Sequence, residues 1–198
     1  MSVREWTPSE KRRLPSLHRF FGESLGDMLI TDLSAAPLDT KPLDLTCRPP
    51  LPPHLRLYLF NCTDHPSERR AGDYRIQLRL PGQERRQRGQ LARAPGALLV
   101  LAGFVVEFDV FVLWDANAHQ DFPYSKGVQV AASTVHHAAI HGLAEQQRDV
   151  RGNGYREWVV AVRADRLTEG VRRREELSRQ ALLGDSPSQP ASSGEEAI

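Results

Sequence analysis

Residues 97–114, ALLVLAGFVVEFDVFVLW, constrain the fold more than any other stretch. The first part, 97–104, is apolar throughout and predicts a central strand covered on both faces. Gly103 and the residues after it allow a tight return into a second strand, 106–114. There Val106, Phe108, Val110, Val112 and Trp114 share an apolar face, while Glu107, Asp109, Phe111, Leu113 and Asp115 share a mixed one. Asp109 is thereby expected among hydrophobic neighbours. An unpaired buried carboxylate is costly, so it must be paired, protonated or functional.

The remaining elements follow from periodicity and punctuation. Residues 55–61 read as a strand. In 73–80, Tyr74, Ile76, Leu78 and Leu80 alternate with Asp73, Arg75, Gln77 and Arg79, the pattern of a half-buried strand with a polar outer face. Residues 127–131 and 155–163 predict two further strands. A helix is expected over 9–25, kinked or restarted at Pro15. A second is expected over 134–148 with Ser133 as N-cap and Val135, Ala138, Ala139 and Leu143 as its buried stripe, ending at Gly152–Gly154. Asp165 is expected to cap a third. The proline-rich stretch 34–53 reads as an extended connector, and 84–95 as a solvated loop. This order predicts an α+β fold, a mixed, mainly antiparallel sheet flanked by helices. The expected organisation is an N-terminal helix and connector (1–53), one core domain (54–183) and a disordered tail (184–198) low in apolar residues.

Composition excludes some classes. The net charge of +1 over 198 residues provides no global field toward nucleic acid. The basic residues are nearly all arginine, with Lys11, Lys41 and Lys126 the only lysines, as base composition of the genome or phosphate recognition would each produce. No run approaches the roughly 18 apolar residues of a membrane span. The charged N-terminus lacks a secretory apolar stretch, so a cytoplasmic protein is expected. Cys47 and Cys62 fit free thiols in a reducing compartment.

Between the strands ending at 115 and starting near 127 lies a long loop holding Asp115, Asn117, His119, Asp121, Ser125 and Lys126. Its opening resembles a calcium loop, but Gln120 stands where glycine is needed and Lys126 where a bidentate glutamate is needed, which excludes calcium. A transition metal on Asp115 and His119 is one reading. Side chains fastening the loop's own backbone is the plainer one. His137 and His141 share a helix face without a third ligand, so His136, His137 and His141 read as a polar face. Cys62 and His65 read as turn residues; no serine elbow or phosphate-cradling glycine loop is present.

The acids offer a further chemistry. Magnesium-dependent nucleases of the restriction-endonuclease-like superfamily hold the metal with a carboxylate on one strand and an acid-x-lysine on the next. Asp73-x-Arg75 has that form with arginine in the lysine position, and Glu107 and Asp109 add carboxylates nearby. Arginine remains charged at any relevant pH and cannot shuttle a proton.

The blocks LYLFNCTDHP, GDYRIQLRLPGQ, LLVLAGF, DVFVLWDANAH and FPYSKGVQV together resemble a bacterial domain of restriction-modification neighbourhoods, of the restriction-endonuclease or methylase-associated kind, over residues 55 to about 165. The resemblance implies a DNA-recognising component of a restriction-modification or related defence system, with cleavage at a bound Mg2+ ion as its enzymatic form. In that family the second block reads more like E-x-K-I-Q. This chain keeps Gln77 with a shorter acid and an arginine, a departure that bears on cleavage more than on binding. The implied metal ligands are Asp73, Glu107 and Asp109; Arg75 or Lys126 would stabilise the scissile phosphate. Asn61, Gln77, Arg79, Ser125 and Gln129 would contact DNA, with His65, Asp115 and His119 in the same cleft. The implied partners are DNA and a DNA methyltransferase or a nuclease; by its residues the helix VRRREELSRQ reads as either dimer-forming, giving a homodimer, or solvent-facing. The alternatives are a non-catalytic DNA reader, and a small-molecule or protein-binding module built on Phe122, Pro123 and Tyr124.

Overall fold

The two strands at the centre of the sequence are also the two at the centre of the fold. The computed structural model describes residues 11–64, 73–150 and 155–183. Along the chain these form α1 (Leu14–Ser24), β1 (Leu43–Thr46), β2 (His54–Asn61), β3 (Thr63–Asp64), β4 (Asp73–Leu78), β5 (Gly89–Gln90), β6 (Leu98–Val105) and β7 (Val110–Trp114). They continue with β8 (Asp121–Phe122), β9 (Lys126–Ala131), α2 (Ala132–His141), β10 (Leu143–Val150), β11 (Tyr155–Arg163) and α3 (Leu167–Leu183). Six strands make the main sheet in the order β1-β2-β6-β7-β11-β10. β2 and β6 are parallel and the other pairs antiparallel. This is the α+β architecture expected of the sequence.

Alternation along the central strands feeds two cores. Leu55, Leu57, Leu59, Val100, Phe104, Phe111, Leu113, Val160 and Val162 face one side, where α1 and α3 cover them with Leu17, Phe21, Leu167, Val171 and Leu177. Tyr58, Leu101, Val112, Trp114, Val159 and Ala161 face the other. That side is covered by α2 and by a second sheet of order β3-β4-β9, which contributes Ile76, Leu78, Val128 and Val130. β7 is buried along its whole length because it is sandwiched between these layers. Gly103 lies where the two sheets pack closely together. A Cβ on it would stand 2.6 Å from Ile76 Cγ2 and 2.9 Å from Cys62 Cβ. Its role is therefore close packing within β6, not the return turn expected of it.

That return is made four residues later, and it alters the expectation for Asp109. Val106–Phe108 form a 3-10 turn, and Asp109 adopts φ 51°, the left-handed conformation that a short polar side chain tolerates. The strand begins only at Val110, so Glu107 and Asp109 are exposed rather than embedded among hydrophobes.

Other boundaries also differ. Pro15 starts α1 instead of kinking it, because the first helical turn needs no amide donor there. The proline-rich connector contains β1, whose Leu43 and Leu45 are buried against β2. The loop 84–95 includes β5, which pairs with β8 and places Leu91 in the core. The helix expected over 134–148 ends at His141. Gly142 turns the chain at φ 91°, and residues 143–150 pair along their whole length with β11. Ala131, not Ser133, occupies the N-cap of α2, and Asp165 pairs with Arg163 at 2.7 Å instead of capping α3. Cys47 and Cys62 are free and buried. Among the described residues no helix is long and apolar enough to cross a membrane. His65, Gly152, Gly154 and the tail from 184 lie outside the described residues.

Candidate functional site

β4 has an apolar stripe turned into the core, so its other stripe must face out. Asp73, Arg75 and Gln77 stand on that outer face, partly or fully exposed. In an antiparallel pair, directly opposed residues project to the same side. Register pairs Arg75 with Gln129 on β9 and with Thr63 on β3, giving a row of three polar side chains across the sheet. Gln77 stands opposite Gly127, where an added Cβ would meet nothing within 4 Å, so the space beside its amide is open. Arg79 continues the stripe beyond β4, its guanidinium 4.8 Å from the centre of the Tyr124 ring. Ser125, at φ 61°, forms the tip of the turn that leads into β9. Arg75, Gln77, Arg79, Ser125 and Gln129 thus fall on one sheet and its rim.

The long loop after β7 is held by its own polar groups. Asp115 accepts the Asn117 main-chain N–H at 2.9 Å, capping a 3-10 turn over Ala116–His119, and accepts the Tyr155 hydroxyl at 2.6 Å. Burial and this acidic neighbour push the Tyr155 phenol far above its usual range. Gln120 Nε2 donates to Asn117 Oδ1 at 3.1 Å, and Arg93 also donates to that oxygen. Arg88 pairs with Asp121 at 2.8 Å. Asp115 therefore fastens the loop backbone, while Asn117 and Asp121 tie the loop to Arg93 and Arg88 through their side chains.

Inside the loop lies a network that charge spacing did not reveal. Lys126 Nζ sits 3.0 Å from His119 Nδ1, and His119 Nε2 sits 3.0 Å from a Glu157 carboxylate oxygen. A charged lysine can only donate, so Nδ1 accepts and Nε2–H donates to Glu157. Arg148 Nε reaches the same carboxylate at 3.2 Å, and its Nη1 donates to the Gln129 carbonyl. His119 and Glu157 are each 1% exposed. Lys126 is held below the usual lysine range by burial, an effect partly offset by the Glu157 charge. The network thus ties the loop, β9, β10 and β11 together directly beneath the row containing Gln129. Glu157 lies on β11 in step with the core residues Val159 and Ala161. A carboxylate at an inward position of a strand is the signal that could have singled it out.

The other expected site residues lie elsewhere. The Asn61 amide bonds both main-chain groups of Arg12, accepting its N–H at 2.8 Å and donating to its carbonyl at 2.9 Å. Asn61 therefore anchors the segment before α1 and is not on the outer row. Glu107 lies close enough to Cys62 for its charge to help burial raise the thiol pKa. Asp109 lines a cavity with Arg12, Phe20, Arg163 and Asp165. Among the described residues, no group of three or more histidine, cysteine, aspartate or glutamate side chains could hold a metal ion. Asp73, Glu107 and Asp109 therefore do not form one donor set. His136 packs its ring against Phe108, centroids 4.9 Å apart, and the His137 and His141 rings lie 4.3 Å apart in a tilted arrangement.

Fold and site together define an α+β domain in which a small second sheet displays an in-register polar face. The model of the methylase-associated X1 family matches residues 53–171, from the start of β2 into α3. The match spans more than half of the chain, and the chain belongs to the methylase-associated X1 family. That membership supports a setting in restriction-modification systems. No curated protein and no solved structure matches it. The restriction-endonuclease-like fold implied by the resemblance thus has no structural match behind it.

Proposed function

We propose that this chain is the DNA-recognising component of a restriction-modification or related defence system that includes a methylase, and that the outer face of β3-β4-β9 is its DNA-contact surface. The observation that carries this reading is the register of β4 on β9, which sets Arg75 beside Gln129 and leaves Gln77 open beside Gly127. Arginine and glutamine make bidentate contacts to purine edges, and a two-stranded ribbon fits the major groove. Arg79 and Ser125, at one end of the ribbon, are suited to phosphates, which fix position without reading sequence, while Lys126 is committed to His119 beneath the sheet. Family membership supplies the methylase context.

The module built on Phe122, Pro123 and Tyr124 has less support. Phe122 is fully buried, and the Tyr124 ring bears Arg79.

Fluorescence anisotropy with duplex DNA tests the proposal. Binding should weaken linearly in log K against log salt, because phosphate contacts release counterions. Failure to bind at about 50 mM salt, a condition that favours phosphate contacts, would overturn the reading. Repeating the assay with Mg2+, and resolving the DNA on a gel, shows whether binding is accompanied by cleavage.

A further inference from the structure

Lys41 follows α1, and Arg79 follows β4, yet both line one cleft of about 300 Å³ with Leu14, Leu80, Pro81 and Gly82. Lys41 Nζ sits 3.5 Å from the centre of the Phe60 ring, and the Arg79 guanidinium lies over Tyr124. Aromatic faces hold such cations in place without neutralising them. Among the described residues no carboxylate lines the cleft or pairs with either group. By contrast, Arg56, Arg88, Arg148, Arg163 and Arg173 each have an acidic partner.

The titratable neighbour of Lys41 is His18 on α1, a buried ring whose Nδ1 lies 2.8 Å from the Leu38 carbonyl. Burial chiefly, and Lys41 in part, hold it below the usual histidine range, which favours the neutral ring, and histidine carries no negative charge in either form. Burial lowers the Lys41 ammonium to about 8. Among the described residues the cleft is therefore positive, with two fixed donors and no anion.

We infer that the Lys41–Arg79 cleft is a phosphate seat. On the proposed DNA reading, on which this source of phosphate rests, it takes a backbone phosphate of the strand lying along the outer stripe of β4. Arg79 belongs to both features: it closes the Asp73–Arg75–Gln77 stripe and opens the cleft. Gln77 would meet a base edge while Arg79 and Lys41 grip the phosphate beyond it.

Two measurements on the full chain test the seat. With only three lysines in the chain, the Lys41 side-chain 13Cε resonance can be assigned by lysine-to-arginine variants and titrated with pH. Inorganic phosphate should move its midpoint up from about 8, since a bound anion favours the charged form. Arg79→Gln should reduce that shift. In the DNA assay, Lys41→Gln and Arg79→Gln should each weaken binding several-fold and lower the salt slope by about 1. Wild-type affinity should fall as pH rises from 7 to 9 while Lys41 loses its proton. Lys41→Arg should keep the affinity and remove that loss.

A Lys41 midpoint indifferent to phosphate, together with wild-type DNA binding by Lys41→Gln, overturns the seat and leaves the DNA reading standing. A midpoint that responds to phosphate in a protein that binds no DNA supports the seat with free phosphate as its ligand, and overturns the DNA reading.

Discussion

Glu157 joins His119 and Arg148 at a point where almost no water reaches. Removing it leaves both partners without their carboxylate, and breaking a buried ion pair from one side typically costs about 3–5 kcal/mol. Glu157→Ala should therefore lose that much stability in urea denaturation, and Glu157→Gln less, because one acceptor oxygen remains. A loss below about 1 kcal/mol, no more than an ordinary hydrogen bond, would show that the network does not hold the loop. The sequence pointed to Asp109 for this part on a sound argument, that a carboxylate among hydrophobes must be paired. The argument belonged to Glu157, because the turn at Asp109 shifted the start of β7 and carried that acid to the surface.

At the scale of elements, β4 was the most legible piece. Its strict alternation foretold both the buried Tyr74, Ile76 and Leu78 and the polar stripe opposite. What alternation could not supply was the neighbour across the sheet: Gln129 joins Arg75 through register alone. Arg75→Ala and Gln129→Ala should change stability by no more than about 0.5 kcal/mol, as surface substitutions usually do. In the anisotropy assay, each should weaken DNA binding by about 1–3 kcal/mol at a site containing the contacted base. Equal affinity in both variants would remove this face from the interface. The segment after α2 shows the opposite case. AEQQR consists of good helix formers, yet it forms β10, because Gly142 turns the chain and β11 presents a complete ladder. Tertiary pairing outweighs propensities worth a few tenths of a kcal/mol per residue.

The molecule as a whole is two sheets pressed together, with helices outside the larger one. Gly103 lies in close contact between the sheets, so Gly103→Ala should cost about 1–3 kcal/mol through overpacking, read as a lower midpoint in thermal denaturation. Charge burial sets a second, pH-dependent term. Lys41 titrates near 8 in the folded chain against 10.5 ordinarily. The unfolded chain thus binds the proton more tightly, and the charged form opposes folding below about pH 8. That penalty fades as pH rises from 8 to 10.5. Lys41→Met should then stabilise the protein by about 1–3 kcal/mol at pH 7, and by less at pH 10, in paired denaturation curves. An equal effect at both pH values would show that the lysine is not burdened by burial.

Apolar runs and alternation by themselves determined the central strands, the α+β class and the polar outer stripe of β4, because burial period is written locally along a strand. The tertiary structure alone decided which polar residues meet. Lys126, His119, Glu157 and Arg148 are brought together from a loop and three strands, and Lys41 meets Arg79 from distant segments. Such meetings depend on sheet order and register, which are long-range pairings that no local pattern encodes.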